Sequence, residues 1–446
     1  MPESRIAARI CVVGAGSSGL AACKALQECG IGFDCFERGS DVGGNWRYLN
    51  DSGIASCYAS LHTNVSRTRM QYPSFPMPAD WGDYISHAHM AQYLGAFADR
   101  FGLRRHIHFR TILTAAHQTT SSAWEVTTTS LAEESRECTQ QYDALIVATG
   151  HDWDPNWPEF DGSFSGRLLH THEYRNPEAF AGQRVLVIGA GNSASEIAVE
   201  LASVASRVYW SFRHTAHIVP RYVFGIPADQ YDTPLSGRLP WPLVRWTFER
   251  ILRLARGRLT DYGLPEPNHR LLMAPPALTS GLLPALREGR IHPRPAVVRF
   301  GGLNVEFADG SHETVDAVVC GTGYKISFPF LDERPLRIKG KSIPLYRRIV
   351  PPDVHNLYFV GLVDALGGLL PVVELQSEWV ADVLSGIISL PERSEMWAAA
   401  EAGEPRSRER FGAAGAYSIL CDQWAYRRTL RDDLQVAQPR WNGLKS

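Results

Sequence analysis

Ile10-Cys-Val-Val-Gly14-Ala-Gly16-Ser-Ser-Gly19 and Val185-Leu-Val-Ile-Gly189-Ala-Gly191-Asn-Ser-Ala194 are two versions of one pattern. In each, a short apolar run rich in β-branched residues ends in glycines. Apolar residues then recur at helical spacing, from Leu20 to Leu26 and from Ile197 to Leu201. The spacing predicts strand, tight turn, helix in both places. The glycines serve a sharp turn, approach of backbone to a pyrophosphate, and packing of helix on strand, and the helix N-terminus stabilises phosphate charge. In the second copy the third glycine is Ala194, a residue small enough for that packing. Each βαβ unit must bury both faces of a parallel sheet. The expected fold is therefore α/β with two Rossmann-like dinucleotide-binding domains.

The residue closing the following strand distinguishes the two copies. After Phe33-Asp-Cys-Phe36 stands Glu37, whose carboxylate can accept both ribose hydroxyls of an adenosine. After Val208 to Phe212 stands Arg213, followed by His214. A guanidinium pairs with a 2′-phosphate, where a carboxylate would repel it. The first site thus reads as FAD and the second as NADPH, with His214 assisting Arg213. Ser193 and Ser195 lie at the second helix start, where they can help hold phosphate.

Strand-like runs Ala144 to Ala148 and Ala317 to Cys320 lead to Thr149-Gly150 and Thr322-Gly323, and they bracket the second pattern. The expected organisation is a first part of the FAD domain at 1–169, an inserted NADPH domain at 170–316, and a second part of the FAD domain with the C-terminal tail at 317–446. A Pro-rich connection from Pro234 to Pro242 leads into Leu243 to Leu254. There Leu243, Trp246, Ile251 and Leu254 alternate with Arg245, Arg250, Arg253 and Arg256. This stretch is expected to pack on the body with a solvated basic face in preference to lying on a membrane. The tail after Pro391 is polar and low in strand signal.

The bulk composition excludes several classes. With 446 residues, 44% hydrophobic and 21% charged, the chain has ordinary globular composition. A net charge of -2 removes a broad electrostatic argument for nucleic acid or an anionic surface. No run approaches the roughly 18 to 20 apolar residues of a membrane span, and the N-terminus lacks a cleavable signal pattern, so a cytoplasmic location is expected. The 8 cysteines form no CxxC pair and read as reduced thiols. No Ser-His-Asp, HExxH or paired-carboxylate signature appears. His87-Ala-His89 and His170-Thr-His172 have strand-like spacing, but no third ligand accompanies them, and no metal is expected.

Further landmarks stand in order along the chain: Gly43-Gly44-Asn45-Trp46, Tyr58-x-Ser60-Leu61-x-Thr63-Asn64, Phe75-Pro76-x-Pro78, Phe164-x-Gly166-x-x-x-His170-x-x-x-Tyr174, Gly321-Thr322-Gly323-Tyr324, Phe328-Pro329-Phe330-Leu331 and Glu374-Leu375-Gln376. Over nearly its whole length the chain resembles the flavin-containing monooxygenases of class B. The Phe164 to Tyr174 element fits that family's identifying pattern FxGxxxHxxxY/F. Baeyer–Villiger monooxygenases carry a related pattern with Trp at the position of Tyr174, and a Tyr-Pro-Gly segment that this chain lacks. Relatives that N-hydroxylate ornithine or lysine lack the element.

The resemblance implies that NADPH reduces FAD and that the flavin captures dioxygen as a C4a-hydroperoxide, which oxygenates a soft nucleophile, N or S, of a small molecule. It assigns the catalytic role to Asn64. It places Gly14, Gly16, Ser18, Gly19, Glu37, Gly44, Asn45, Trp46, His62, Asn64, Thr149 and Lys325 at the FAD. At the NADPH it places Tyr72, Gly189, Gly191, Asn192, Ser193, Ser195, Arg213 and His214. For His170 and Tyr174 a positioning role is expected. The implied partners are dioxygen and a small-molecule substrate, with a homodimer the assembly considered. Competing readings are Baeyer–Villiger oxidation of ketones, an NADPH oxidase, and a nucleotide-responsive redox sensor.

Overall fold

The computed structural model describes residues 9–132, 136–233, 238–403, 407, 409, 411 and 419–444. The chain divides into two units. The first comprises Met1–Ala55, Val65–His151 and Ile326–Ser446, and the second Ser56–Asn64 and Asp152–Lys325.

The first unit is built on five parallel strands in the order Leu357–Phe359, Ala144–Val147, Arg9–Val13, Gly32–Phe36, Ile107–His108. Along the central strand the side chains alternate between two cores. Ile10 and Val12 enter one with helix α1, Ser17–Glu28, and with Leu370, Val373 and Trp379 from a C-terminal helix, Leu370–Leu384. Cys11 and Val13 enter the other with Trp124, Val126 and Tyr142. Those last residues come from an antiparallel sheet of Thr111–Gln118, Trp124–Ser130 and Glu137–Tyr142. Burial on both sides is why the fingerprint strand reads as an unbroken apolar run.

The second unit repeats the plan, with parallel strands in the order Arg167–His170, Ala317–Cys320, Arg184–Ile188, Arg207–Ser211, Ile291–Arg294. Val185 and Val187 pack on helix α2, Asn192–Leu201, through Ala194, Ile197, Ala198 and Leu201. Leu186 and Ile188 face Phe300, Val305 and Phe307 of a second sheet.

The division falls at 151/152 and 325/326, where 169/170 and 316/317 were expected. Strand pairing is the reason: Leu168 lies opposite Val318 and Val185 opposite Ala317, so both flanking strands belong to the inserted sheet. The segment Ser56–Asn64, expected with the first domain, also joins the second unit.

The arginine-studded stretch forms helix α3, Trp241–Arg256. Part of Pro234 to Pro242 lies outside the described residues. The apolar stripe differs from expectation. Trp241 and Leu252 are buried with Phe248 and Ile251 against the body, whereas Leu243, Trp246 and Leu254 are exposed beside Arg250 and Arg253. The buried row follows the 3.6-residue period from Trp241, and the expected one is rotated from it. The tail holds helices Arg393–Ala402 and Gln423–Leu444. His87 and His89 open a helix, His87–Arg100, capped by Ser86, and do not occupy a strand. Among the described residues no helix is long and apolar enough to cross a membrane.

Candidate nucleotide sites

In the first unit the glycine turn sits at the carboxyl end of the central strand. Gly14 adopts φ +98°, and a Cβ there would lie 2.8 Å from the Ala148 carbonyl oxygen. A Cβ on Gly19 would lie 1.8 Å from the Gly14 carbonyl oxygen, so α1 can approach its strand only with glycine at that position. Gly16 is the N-cap of α1 and no side chain caps the helix, leaving the first-turn N–H groups as donors for an anion. The strand ending in Val147 runs alongside, so Thr149 borders the same turn, its Cα 3.5 Å from the Gly14 Cβ position. Gly43 donates to the Ala15 carbonyl at 3.1 Å, bringing Gly44 against Gly16; the next residue, Asn45, is exposed and Trp46 packs on the core.

Glu37 closes the neighbouring strand and is buried. Its Oε2 accepts the Ala15 N–H and its Oε1 the Gly39 N–H, each at 2.7 Å. Burial pushes this carboxyl above its ordinary range and the two backbone donors draw it back. A carboxylate offers about four acceptor positions, so two remain for ribose hydroxyls. The buried donors, the glycine turn and the acceptor-only Glu37 fit an adenine dinucleotide.

Ser18 is buried opposite Gly361, which at φ +82° leaves no room for a Cβ beside the Ser18 hydroxyl. Gln376 fixes that contact: its Oε1 accepts the Gly361 N–H at 2.9 Å, and its Nε2 donates to Tyr426 Oη at 2.7 Å. The landmark Glu374-Leu375-Gln376 thereby acts on the nucleotide turn from behind. Tyr72 corrects an expectation. Placed at the NADPH from sequence, it is fully buried in the first unit, its ring packed on Phe97 and its hydroxyl donating to the Ser17 carbonyl at 2.5 Å. It presents no surface to a nucleotide and instead supports the first turn of α1.

The second unit carries the matching arrangement. Gly189, at φ +129°, faces Gly321, and a Cβ on Gly189 would lie 2.2 Å from the Gly321 carbonyl oxygen. The Trp210 indole donates to the Gly189 carbonyl at 2.6 Å and holds the turn from beneath. Gly191 caps α2 without a side-chain bond, and Ser193 is exposed in its first turn. Two expected ligands are committed elsewhere. Asn192 Oδ1 accepts the Leu278 N–H at 2.7 Å, and the buried Ser195 hydroxyl donates to the Gly191 carbonyl at 2.9 Å. Both shape the turn. Arg213 and His214 follow the strand Arg207–Ser211 at the same carboxyl end and are exposed. Among the described residues no carboxylate pairs with Arg213.

Asn64 is exposed, His62 is half-buried, and both belong to the second unit. His62 Nδ1 lies 2.7 Å from the Ser60 carbonyl, which only accepts, so Nδ1 donates in that hydrogen bond. Lys325 is exposed in a two-stranded ribbon with Asp154, also in the second unit. The Phe164 to Tyr174 element is architectural: His170 ends a strand, fully buried, and burial together with His172 lowers its pKa to about 4. Tyr174 is buried with its hydroxyl donating to Glu200 at 2.9 Å. Sequence reasoning passed over Trp210 and Gly361 and marked Gly321 and Gln376 as landmarks without a role, because all four act through contacts between distant segments.

Residues 7–438 match the family model described as flavin-binding monooxygenase-like. The chain is 34% identical over 412 residues to dimethylaniline monooxygenase 2 (N-oxide-forming) of Mus musculus, covering 88% of this chain and 76% of that one. Among solved structures it is similar to S-allyl-L-cysteine S-oxygenase from Allium sativum, with TM-score 0.72 and 25% identity over 95% of this chain and 88% of that one. Its fold is also that of cyclohexanone monooxygenase from Rhodococcus sp. Phi1 bound to NADP+, with TM-score 0.69 and 18% identity over 96% and 98% of the two chains.

Proposed function

Because the chain belongs to the flavin-binding monooxygenase-like family, we propose that it is an FAD-dependent, NADPH-using enzyme that oxygenates a soft nitrogen or sulfur of a small molecule. It is a flavin monooxygenase with FAD and NADPH as cofactors. The observation carrying the assignment of the two sites is the contrast at matching strand ends: a buried, acceptor-only Glu37 in one unit and an exposed Arg213 in the other. An acid there suits bare ribose hydroxyls, and a guanidinium suits a 2′-phosphate.

Bound FAD, once reduced, supplies the activation of dioxygen. The protein's own residues bind, orient and exclude water. The uncapped turns of α1 and α2 hold pyrophosphate charge, Glu37 takes the adenosine ribose, and Arg213 with His214 takes the 2′-phosphate. Asn64 supplies a neutral amide, two donors and one acceptor, without placing a charge beside the reacting oxygen. Support for N- or S-oxygenation comes from Tyr174, where Baeyer–Villiger enzymes carry Trp, and from the N-oxide-forming and S-oxygenating relatives.

The test is product analysis with the purified holoenzyme, NADPH, and separately a tertiary amine, a thioether and a cyclic ketone. N-oxide or sulfoxide formed in proportion to NADPH consumed is the expected result. Lactone without sulfoxide would overturn the reading in favour of Baeyer–Villiger chemistry, and hydrogen peroxide as the sole product with every substrate would leave an oxidase.

A further inference from the structure

The segment Ser56–Asn64 contains no helix or multi-residue strand, so no extended ladder of backbone bonds sets its shape. It is nevertheless tied into the second unit by buried polar contacts. Tyr58, 4% exposed, donates its hydroxyl to Glu196 Oε2 at 2.8 Å, and Arg221 donates to the other oxygen of the same carboxylate. The Tyr58 ring meets the Tyr174 ring edge to face at 5.9 Å, and Tyr174 donates to Glu200. The Ala59 N–H donates to the Arg175 carbonyl at 2.8 Å, and the Leu61 N–H closes a turn on the Tyr58 carbonyl at 3.0 Å.

Glu196 and Glu200 stand four apart on one face of α2, the helix whose first turn would receive the nicotinamide nucleotide's phosphates. Like charges at that spacing destabilise a helix, and burial adds to the cost. Burial pushes the Glu200 carboxyl upward and Tyr174 and Ser60, as donors, draw it down; the neighbouring acids Glu178 and, to a smaller extent, Glu196 add to the rise. A local rule broken on a nucleotide helix, and offset by donors from the loop bearing His62 and Asn64, marks those carboxylates as more than solvated charges.

We propose that Glu196 and Glu200 are positioning residues: through Tyr58 and Tyr174 they lock the Ser56–Asn64 segment onto α2, so that Asn64 is presented by the same rigid body that binds the nicotinamide nucleotide. This rests on the reading of Asn64 as the catalytic amide. Glu196 acts through Tyr58 and Glu200 through Tyr174, whose ring Tyr58 meets, and the charge-assisted phenol–carboxylate bonds give the loop a fixed orientation.

The experiment uses the holoenzyme and the variants Tyr58→Phe, Glu196→Ala, Glu196→Gln and Asn64→Ala. Hydrogen–deuterium exchange is followed over residues 56–64, with hydrogen peroxide released per NADPH consumed and the dissociation constant for NADP+ as further readouts. Tyr58→Phe removes one hydroxyl and keeps the ring, so it remains informative where Glu196→Ala fails to fold. Expected are a tenfold or greater acceleration of exchange at Ala59 and Leu61, a severalfold rise in peroxide per NADPH, and an NADP+ affinity within twofold of the parent. Glu196→Gln, which still accepts from Tyr58, should restore most of both effects. Unchanged exchange in Tyr58→Phe and Glu196→Ala overturns the proposal, as does faster exchange with an unchanged peroxide ratio, which would leave a purely structural tie. Asn64→Ala separates the two readings. If it leaves the peroxide ratio unchanged, the assignment of Asn64 fails; if it raises the ratio while the anchor variants do not, the positioning role alone fails.

Discussion

Gly321→Ala places a methyl carbon 2.7 Å from the Ala194 Cβ, 3.1 Å from its Cα and 3.3 Å from its backbone nitrogen. Carbon atoms rest at about 3.5–4.0 Å, so the start of α2 would have to withdraw by about 1 Å. Overpacking of this kind costs about 1–3 kcal/mol. Because the displaced turn is the one assigned to the NADPH phosphates, NADP+ affinity should fall on the order of tenfold, about 1.4 kcal/mol, while flavin content is unchanged. The second substitution makes the argument specific. Ala194→Gly alone costs about 1 kcal/mol of helix propensity, yet it removes the 2.7 Å contact and restores the glycine that the first fingerprint carries at this position. The double variant should therefore be more stable than Gly321→Ala, with a coupling of about 1–2 kcal/mol. Urea unfolding of the four proteins measures the coupling, NADP+ titration measures the site, and flavin absorbance is the internal control. Strictly additive losses, or a Gly321→Ala protein with parental stability and NADP+ affinity, would refute the packing argument.

Arg213→Ala should raise the Michaelis constant for NADPH by roughly 10- to 100-fold, corresponding to about 1.5–3 kcal/mol for a lost charged contact, and leave that for NADH nearly unchanged; an equal rise for both would remove the 2′-phosphate assignment. Glu37→Gln keeps the side chain's size but turns an NH2 toward one of two buried N–H donors, at a cost of about 1–3 kcal/mol, and the protein should lose flavin on gel filtration, read as the ratio of absorbance at the flavin band to that of the protein. Retention of full flavin would show that the carboxylate is not needed for the ribose. His170 supplies a pH test. Its folded pKa of about 4 lies below the ordinary 6.5, so the unfolded chain binds the proton more readily; the stability contribution is complete above pH 6.5 and is lost as pH falls from there through 4. The full span corresponds to at most about 3 kcal/mol. Denaturation midpoints at pH 7, 5.5 and 4.5 should fall in that order, and His170→Asn should flatten the dependence.

The two fingerprints were legible because a turn that must admit phosphate leaves a mark in consecutive residues, and the strand ends at Glu37 and Arg213 lie a short, regular distance beyond. Sheet order was harder. The strand Arg167–His170 pairs with Ala317–Cys320, and neither run says in isolation which sheet it joins, so the expected domain edges fell inside the second unit's sheet. The antiparallel sheet Thr111–Tyr142 escaped notice for a related reason: one face is solvated, and its alternation of polar and apolar residues is weak. At the sites, residue type predicted capability and not commitment. Asn192, Ser195 and Tyr72 have the groups a nucleotide could use, but partners at Leu278, Gly191 and Ser17 already engage them. The anchor at Tyr58 was illegible in sequence, since its carboxylate lies 138 positions away.

The interleaving of the two units also sets an order of assembly as the chain leaves the ribosome. The second unit has all its strands once Lys325 has emerged, and the piece it borrows, Ser56–Asn64, was made long before. The first unit begins earlier but lacks the strand Leu357–Phe359 and the helix Leu370–Leu384 until after the second unit's last strand has emerged. The first unit, started before the second, is thus completed after it, and until then its fingerprint strand lacks packing partners from those later segments. A fragment cut at the obvious inserted boundaries, 152–325, would leave Glu196 without Tyr58, so the nascent chain's early loop is a component of the later domain and not merely a tether to it.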